Sequence, residues 1–134
     1  MNQDTDKNRW SVIAAIAVVT VTATALYITL PVPSPVELSG DVRCTSGARV
    51  VGVWIEAPKG DAGWAEMTAA STDQSQTAYR HRLRYGAHSY SVHVGCGGNA
   101  QDWAIGTKSP YVHYKNHDFQ CNDRPELPNF KSCS

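Results

Sequence analysis

RVVGVWIEA, residues 49–57, carries the clearest structural signal in this chain of 134 residues. Apolar side chains recur at every second position along it, which predicts a β-strand rather than a helix. Successive side chains of a strand point to opposite faces, and the stretch divides into two sets: Val51, Val53 and Ile55 on one face, and Val50, Gly52 and Trp54 on the other. Because Trp54 shares its face with Val50, we expect Trp54 to lie in the core.

The same alternation continues on both sides of this stretch. In SYSVHVGC, residues 89–96, one face carries Tyr90, Val92, Val94 and Cys96, which predicts that Cys96 points inward. Short runs separated by turn residues predict strands at Val36–Cys44, Arg49–Glu56, Gly63–Ala70, Ala78–Tyr85, His88–Cys96, Gln101–Thr107 and Tyr111–Cys121, the last in one or two pieces. About seven short strands at this spacing are typical of an Ig-like β-sandwich. We therefore expect an all-β domain over residues 37–122.

A long apolar segment, residues 10–30, precedes the predicted strands. Its sequence, WSVIAAIAVVTVTATALYITL, contains no charged residue, and a helix of this length crosses a hydrocarbon core of roughly 30 Å. Lys7 and Arg9 precede it closely, whereas the next cation along the chain is Arg43. The positive-inside rule therefore predicts one N-terminal, single-pass transmembrane helix, with residues 1–9 as a cytoplasmic tail and the C-terminal domain extracytoplasmic.

A cleaved signal peptide is the alternative for this segment. Ala23-Thr24-Ala25 has the small-x-small form that signal peptidase accepts, and cleavage there would leave a secreted protein. We expect an uncleaved anchor, because the apolar character continues to Leu30 and the apolar run of a signal peptide spans only roughly 7 to 15 residues. Alternating prolines then predict an extended stalk over residues 31–36.

Four cysteines lie beyond the apolar segment, which is consistent with an oxidising compartment. They form no C-x-x-C pair, so neither a zinc knuckle nor a thioredoxin-type redox site is indicated. Three pairings are open. We favour Cys44 with Cys96, which would join two predicted strands, and Cys121 with Cys133, which would close a C-terminal tail over residues 123–134.

Two stretches resemble a known family of β-sandwiches. SGDVRCTSGARVVGVWIEA, residues 39–57, resembles the opening of carboxypeptidase-regulatory-like and transthyretin-like domains, and LRYGAHSYSVHV, residues 83–94, is similar to a later strand of that family. The chain departs from the family pattern at TDQSQTAY, residues 72–79, which lacks the usual glycine before the aromatic residue. The layout, with an uncharged N-terminal span, VHVGCGG and a late cysteine, also resembles small envelope proteins of high-GC Gram-positive bacteria. These resemblances imply a transthyretin-like sandwich in an accessory or adhesion-type module without catalytic residues.

The charge balance excludes one large class of partner. The chain has twelve Lys and Arg residues and twelve Asp and Glu residues. It therefore lacks the excess of basic residues with which nucleic-acid-binding proteins neutralise phosphates. The sequence also lacks G-x-S-x-G and H-E-x-x-H, which mark common hydrolases. We expect neither an enzyme nor a cofactor, and no nucleic acid as partner.

Arginines and tryptophans are the candidates for binding a ligand. Arg80, Arg82 and Arg84 recur at every second position of one predicted strand, and guanidinium groups on one face suit phosphate or carboxylate groups. The alternative is a solvated face paired with acidic residues such as Glu66. Of the three tryptophans beyond the apolar segment, Trp103 is the candidate for an exposed position, with a place in the core as its alternative.

Clustered histidines leave a second functional class open. A zinc or copper site, in a metal-binding protein or a metal-dependent enzyme, would use His93, His113 and His117. His93 alternates with inward valines, so we expect it at the solvent or at a sheet edge. The favoured prediction is a membrane-anchored, extracytoplasmic, non-catalytic binding or structural module of the cell envelope. It would contact membrane lipid through residues 10–30 and an envelope polymer or protein through its outer domain.

Overall fold

The computed structural model describes residues 34–69 and 72–134. Within them the chain is all-β and contains eight strands: β1 (Val36–Cys44), β2 (Val50–Glu56), β3 (Gly63–Trp64), β4 (Glu66–Ala69), β5 (Gln76–Leu83), β6 (Ser91–Gly98), β7 (Trp103–Lys108) and β8 (Phe119–Cys121). No helix in this part of the chain is long and apolar enough to cross a membrane. The predicted tail over residues 1–9, the transmembrane helix over residues 10–30 and the first part of the stalk lie outside the described residues.

The strands form two four-stranded sheets that enclose one core. The first sheet has the order β4-β5-β1-β8 and the second has the order β3-β2-β6-β7. Neighbours pair antiparallel, except that β1 and β8 run parallel. The inward faces supply buried apolar side chains, of which the largest are Tyr79, Tyr90, Phe119, Leu38, Ile55 and Leu83. This arrangement confirms the expected β-sandwich-like, all-β architecture.

Chain segments connect the two sheets along both sides. On one side only Ala65 separates β3 of the second sheet from β4 of the first. On the other side, the C-terminal segment hydrogen bonds to β7 through the amide of Cys133 and the carbonyl of Lys108, at 2.9 Å. The same segment pairs with β8, where the amide of Ser134 donates to the carbonyl of Gln120 at 3.0 Å. Both open edges of the sandwich are therefore partly covered.

Both predicted disulfides are confirmed. Cys44 bonds to Cys96, which joins β1 of the first sheet to β6 of the second across the core. Cys121 bonds to Cys133, which fixes the C-terminal segment against β8. All four cysteines are buried, so the two bonds belong to the core rather than to the surface.

The expectation that Trp54 lies in the core is wrong, because β2 contains an irregularity. The register against β6 shifts between Val50 and Gly52, so an extra residue changes the phase of the alternation. Val50 consequently shares the inward face with Val53 and Ile55, which are fully buried. Trp54 is displaced to the outer face, where it is half-buried.

Three predicted strands need larger corrections, whereas the bounds of the strands predicted at Arg49–Glu56, His88–Cys96 and Gln101–Thr107 shift by at most three residues. The strand predicted over Gly63–Ala70 is divided at Ala65, where the chain passes between sheets, and its last residue lies outside the described part. The strand predicted over Ala78–Tyr85 spans Gln76–Leu83, so Arg84 and Tyr85 follow it. Most of Tyr111–Cys121 is not a strand: Val112 and Asn116 form isolated bridges, and only Phe119–Cys121 is regular.

Two buried tyrosines hold this irregular segment in place. The hydroxyl of Tyr79 donates to the carbonyl of His117 at 2.9 Å, and the hydroxyl of Tyr90 donates to the carbonyl of Tyr114 at 2.7 Å. Burial raises the pKa of both hydroxyl groups, which favours the protonated form that donates these bonds. The core thus fixes a segment that lacks the hydrogen bonds of a continuous strand.

Candidate binding surface

The outer face of the second sheet carries one continuous row of large side chains. The register aligns Trp64 of β3 with Trp54 of β2, Trp54 with His93 of β6, and His93 with Lys108 of β7. Side chains at aligned positions of adjacent strands are neighbours on one face. The row is therefore aromatic at its β3 end and polar at its β7 end.

The adjacent row of the same face is made of glycines. Gly52, Gly95 and Gly106 are aligned across β2, β6 and β7. The indole ring of Trp103 occupies the space that side chains would fill: a Cβ on Gly52 would lie 2.9 Å from Cζ2 of Trp103, and one on Gly95 would overlap the ring. The glycines leave a flat stretch of backbone, and the indole ring of Trp103 packs against it.

The three indoles pack edge to face. The ring centres of Trp54 and Trp64 are 5.3 Å apart at an interplanar angle of 80°, and those of Trp64 and Trp103 are 5.9 Å apart at 78°. Trp64, in the middle, is 58% exposed, and Met67 on β4 beside it is 44% exposed. We call these four residues the tryptophan surface. It borders an open groove of about 660 Å³ with a mainly apolar lining.

A second groove also borders Trp64. It has a volume of about 560 Å³, and its lining includes Arg80, Arg82, Arg84, Trp64 and Tyr85. We call it the arginine groove. Since Trp64 borders both grooves, the tryptophan surface and the arginine groove are parts of one surface.

Asp61 and His81 hold the edges of the arginine groove. The buried carboxylate of Asp61 accepts hydrogen bonds from the amides of Arg84, at 2.6 Å, and Tyr85, at 3.0 Å. Nε2–H of His81 donates to the carbonyl of Asp61 at 2.8 Å, and Nδ1 lies 3.3 Å from the carbonyl of Trp64. The loop from β2 to β3 is thereby hydrogen bonded to β5 and to the two residues that follow β5.

The polar end of the outer face is a network centred on Glu56. One carboxylate oxygen, Oε2, lies 2.7 Å from both Nζ of Lys108 and Nε2 of His93, while the hydroxyl of Tyr111 donates to Oε1 at 3.0 Å. The hydrogen bond from Lys108, followed by those from His93 and Tyr111, lowers the pKa of Glu56 to about 2. The network links β2, β6 and β7 on the outer face of the second sheet.

The structure does not bring the three candidate metal ligands together. Nδ1 of His113 is 2.9 Å from the carbonyl oxygen of His88, and the ring of His117 stacks on Tyr114 at 5.6 Å, while His93 contacts Glu56. Within residues 34–69 and 72–134, the side chains whose ligand atoms meet metal-site spacing are Cys44, Cys96 and Asp123. Both cysteines of that group are disulfide-bonded, so their sulfurs are not thiolates, the form in which cysteine binds a metal.

The predicted ligand-binding residues do lie on one surface. Arg80, Arg82 and Arg84 line one groove, and the half-buried Trp103 lines the other. Sequence reasoning did not assign Trp64, which connects them. A strand of two residues has no readable alternation, and the pairing of Trp64 with Trp54 depends on contacts between strands.

Comparison with known proteins gives no further assignment. No family model matches the chain, and no curated protein is found to be similar to it.

Proposed function

We propose that this chain is a membrane-anchored, extracytoplasmic and non-catalytic binding module that holds a polysaccharide of the cell envelope. Residues 10–30 would anchor it in the lipid with the N-terminus in the cytoplasm, and the domain would be an Ig-like or transthyretin-like sandwich. The observation that carries the proposal is the tryptophan surface, in which Trp64 is exposed between two half-buried indoles on the outer face of a sheet.

The apolar character of this surface favours a ligand that stacks. Soluble domains rarely expose contiguous large apolar groups unless those groups bind something. Indoles present broad, rigid faces that lose little conformational entropy on binding, and sugar rings offer matching C–H faces. The open groove beside Trp64 and Trp103 suits an extended chain such as a polysaccharide.

The remaining features support a location outside the cytoplasm. Two disulfides in a domain of this size suit an oxidising compartment. An uncharged segment over residues 10–30 is long enough to cross a bilayer. Together they favour a domain displayed on the outer side of the membrane.

The test is cosedimentation of the full chain, in detergent, with insoluble cell-envelope polysaccharide. We expect Trp64→Ala to weaken binding by about tenfold, equivalent to about 1.4 kcal/mol, because the most exposed stacking face is lost. Tyr114→Ala is the matched control, since Tyr114 is an aromatic residue of similar exposure, 65%, that lines neither groove. Equal binding by the wild-type chain and Trp64→Ala would contradict the proposal.

A further inference from the structure

Two arginines of the arginine groove form no ion pair within residues 34–69 and 72–134. Nε of Arg80 lies 3.2 Å from the Glu37 carboxylate. In the part of the chain that the structure describes, Arg82 and Arg84 have no carboxylate within the 4.0 Å of an ion pair. Arg82 and Arg84 are both exposed, so their guanidinium groups are open to a ligand in the groove.

None of the acidic residues that line the groove forms an ion pair with these two arginines. The carboxylate of Asp61 is buried and accepts hydrogen bonds from backbone amides, and that of Glu37 pairs with Arg80. Glu66 is the third carboxylate of the lining, and it is exposed. The lining thus has as many carboxylates as arginines, but Arg82 and Arg84 are exposed cations that a carboxylate or phosphate group of a ligand can reach.

Aromatic side chains line the same groove as Arg82 and Arg84. Trp64 and Tyr85 line the same groove and are 58% and 56% exposed. A guanidinium group binds carboxylate or phosphate through two parallel hydrogen bonds, whereas an aromatic ring binds the apolar face of a sugar. The two kinds of group together match a sugar ring that carries an acidic substituent.

We propose that the arginine groove binds an acidic sugar unit, one that carries a carboxylate or a phosphate group, of the polysaccharide that lies on the tryptophan surface. This inference rests on the proposed function. Arg82 and Arg84 hold the anionic group, Trp64 and Tyr85 contact the ring, and the next sugar units of the chain continue across Trp64 onto Trp103.

The backbone geometry supports a groove formed before the ligand arrives. Asp61 fixes the amides of Arg84 and Tyr85, and Nε2–H of His81 donates to the carbonyl of Asp61. Binding then requires ordering of side chains only, which lowers the entropic cost of association. The groove selects the acidic unit by position and charge together.

The experiment measures binding of soluble sugars to the full chain in detergent by tryptophan fluorescence. The probes are an oligogalacturonate, its neutral methyl ester, mannose 6-phosphate and mannose. We expect at least one acidic probe to bind about tenfold more tightly than its neutral counterpart, because only the acidic probe forms charge-assisted hydrogen bonds with the guanidinium groups. Whether the carboxylate or the phosphate probe binds more tightly identifies the source of the acidic group.

Variants separate the charge from the stacking surface. The double variant Arg82→Gln with Arg84→Gln should lose the preference for the acidic probe and keep the affinity for the neutral one. Arg49→Gln, a change at an exposed arginine outside both grooves, should change neither.

Three results would overturn the inference. Equal affinity of the wild-type chain for acidic and neutral probes would do so while leaving the proposed function standing. An acidic preference that persists in the double variant would do the same. Absence of binding to every probe, together with failure to cosediment with envelope polysaccharide, would remove both the inference and the proposed function.

Discussion

Trp103 shows how residues without side chains create a binding surface. Its ring needs flat backbone beneath it, and Gly52 and Gly95 supply that on two adjacent strands. Glycine inside a strand costs stability because it packs nothing of its own and loses more backbone entropy on folding. In this domain the ring of Trp103 covers both glycines and replaces the packing that their side chains would have provided.

A methyl group at Gly95 tests this arrangement. We expect Gly95→Ala to lower the free energy of unfolding by about 1–3 kcal/mol, the usual cost of overpacking, because the new Cβ overlaps the indole ring of Trp103. Binding to envelope polysaccharide should weaken as well, since the ring must move. Urea unfolding and the cosedimentation assay give the two readouts.

The matched control is Gly106→Ala in the same row. A Cβ there would lie 3.5 Å from Cε3 of Trp103, which is ordinary contact, so we expect little change. In a Trp103→Ala background, Gly95→Ala should lose most of its cost, because the two changes involve one contact. A full cost in that background would show that something other than the ring is displaced.

Among the strands, the Glu56 network has the clearest energetic consequence. Glu56 on β2 binds Lys108 on β7 and His93 on β6, so one carboxylate links three strands of the second sheet. Its pKa falls from an ordinary 4.5 to about 2 in the folded domain. Because the folded protein holds this carboxylate ionised more strongly than the unfolded chain does, the network contributes stability above about pH 4.5. That contribution is lost as the pH falls towards about 2.

The prediction compares the wild-type chain with Glu56→Gln in urea unfolding across this pH range. The wild-type chain should be the more stable at neutral pH, and the difference should shrink steadily between about pH 4.5 and about pH 2. High salt should reduce the difference at neutral pH, because the carboxylate and its partners are partly exposed to solvent. A difference that does not vary with pH would contradict the assigned role of the network.

Sequence patterns predicted which segments form strands better than they predicted which face of the sheet each side chain occupies. β1 spans the residues that the alternation predicts, and both disulfides match the favoured pairing, the first as a link between two predicted strands and the second as the closure of a short C-terminal tail. The shift in β2 was not readable, because an irregular register is a property of two strands together. For the same reason the position of Trp64 beside the arginines needed the fold, since β3 and β5 belong to different sheets.

At the scale of the whole molecule, one disulfide joins the two sheets and the other fixes the C-terminal segment to β8. Cys44–Cys96 closes a loop with a sequence separation of 52 and Cys121–Cys133 one with a separation of 12. In the chain-entropy account, removing the first should lower the free energy of unfolding by about 4 kcal/mol, and removing the second by about 3 kcal/mol. Paired replacement by alanine avoids leaving a free thiol in the core.

Urea unfolding of the two paired variants, followed by tryptophan fluorescence, measures these losses. The Cys44→Ala with Cys96→Ala variant should have the lower midpoint, because its bond spans the longer loop and joins the two sheets. The variant lacking Cys121–Cys133 should keep the tryptophan surface, since Trp54, Trp64 and Trp103 lie on the second sheet and its edge. Two variants as stable as the wild-type chain would show that the bonds do not support the fold.

The parallel pairing of β1 with β8 sets the order in which the domain can assemble. Val42 of β1 aligns with Phe119 of β8, and the C-terminal segment then covers both β8 and β7. A chain that emerges from a translocation pore with its N-terminal part first therefore exposes one side of β1 until nearly all of the domain has followed. Contacts between such distant positions form slowly. During that interval the unpaired side of β1 is open to other extended chains, so the proposed export of this domain would require fast emergence or a chaperone on the outer side.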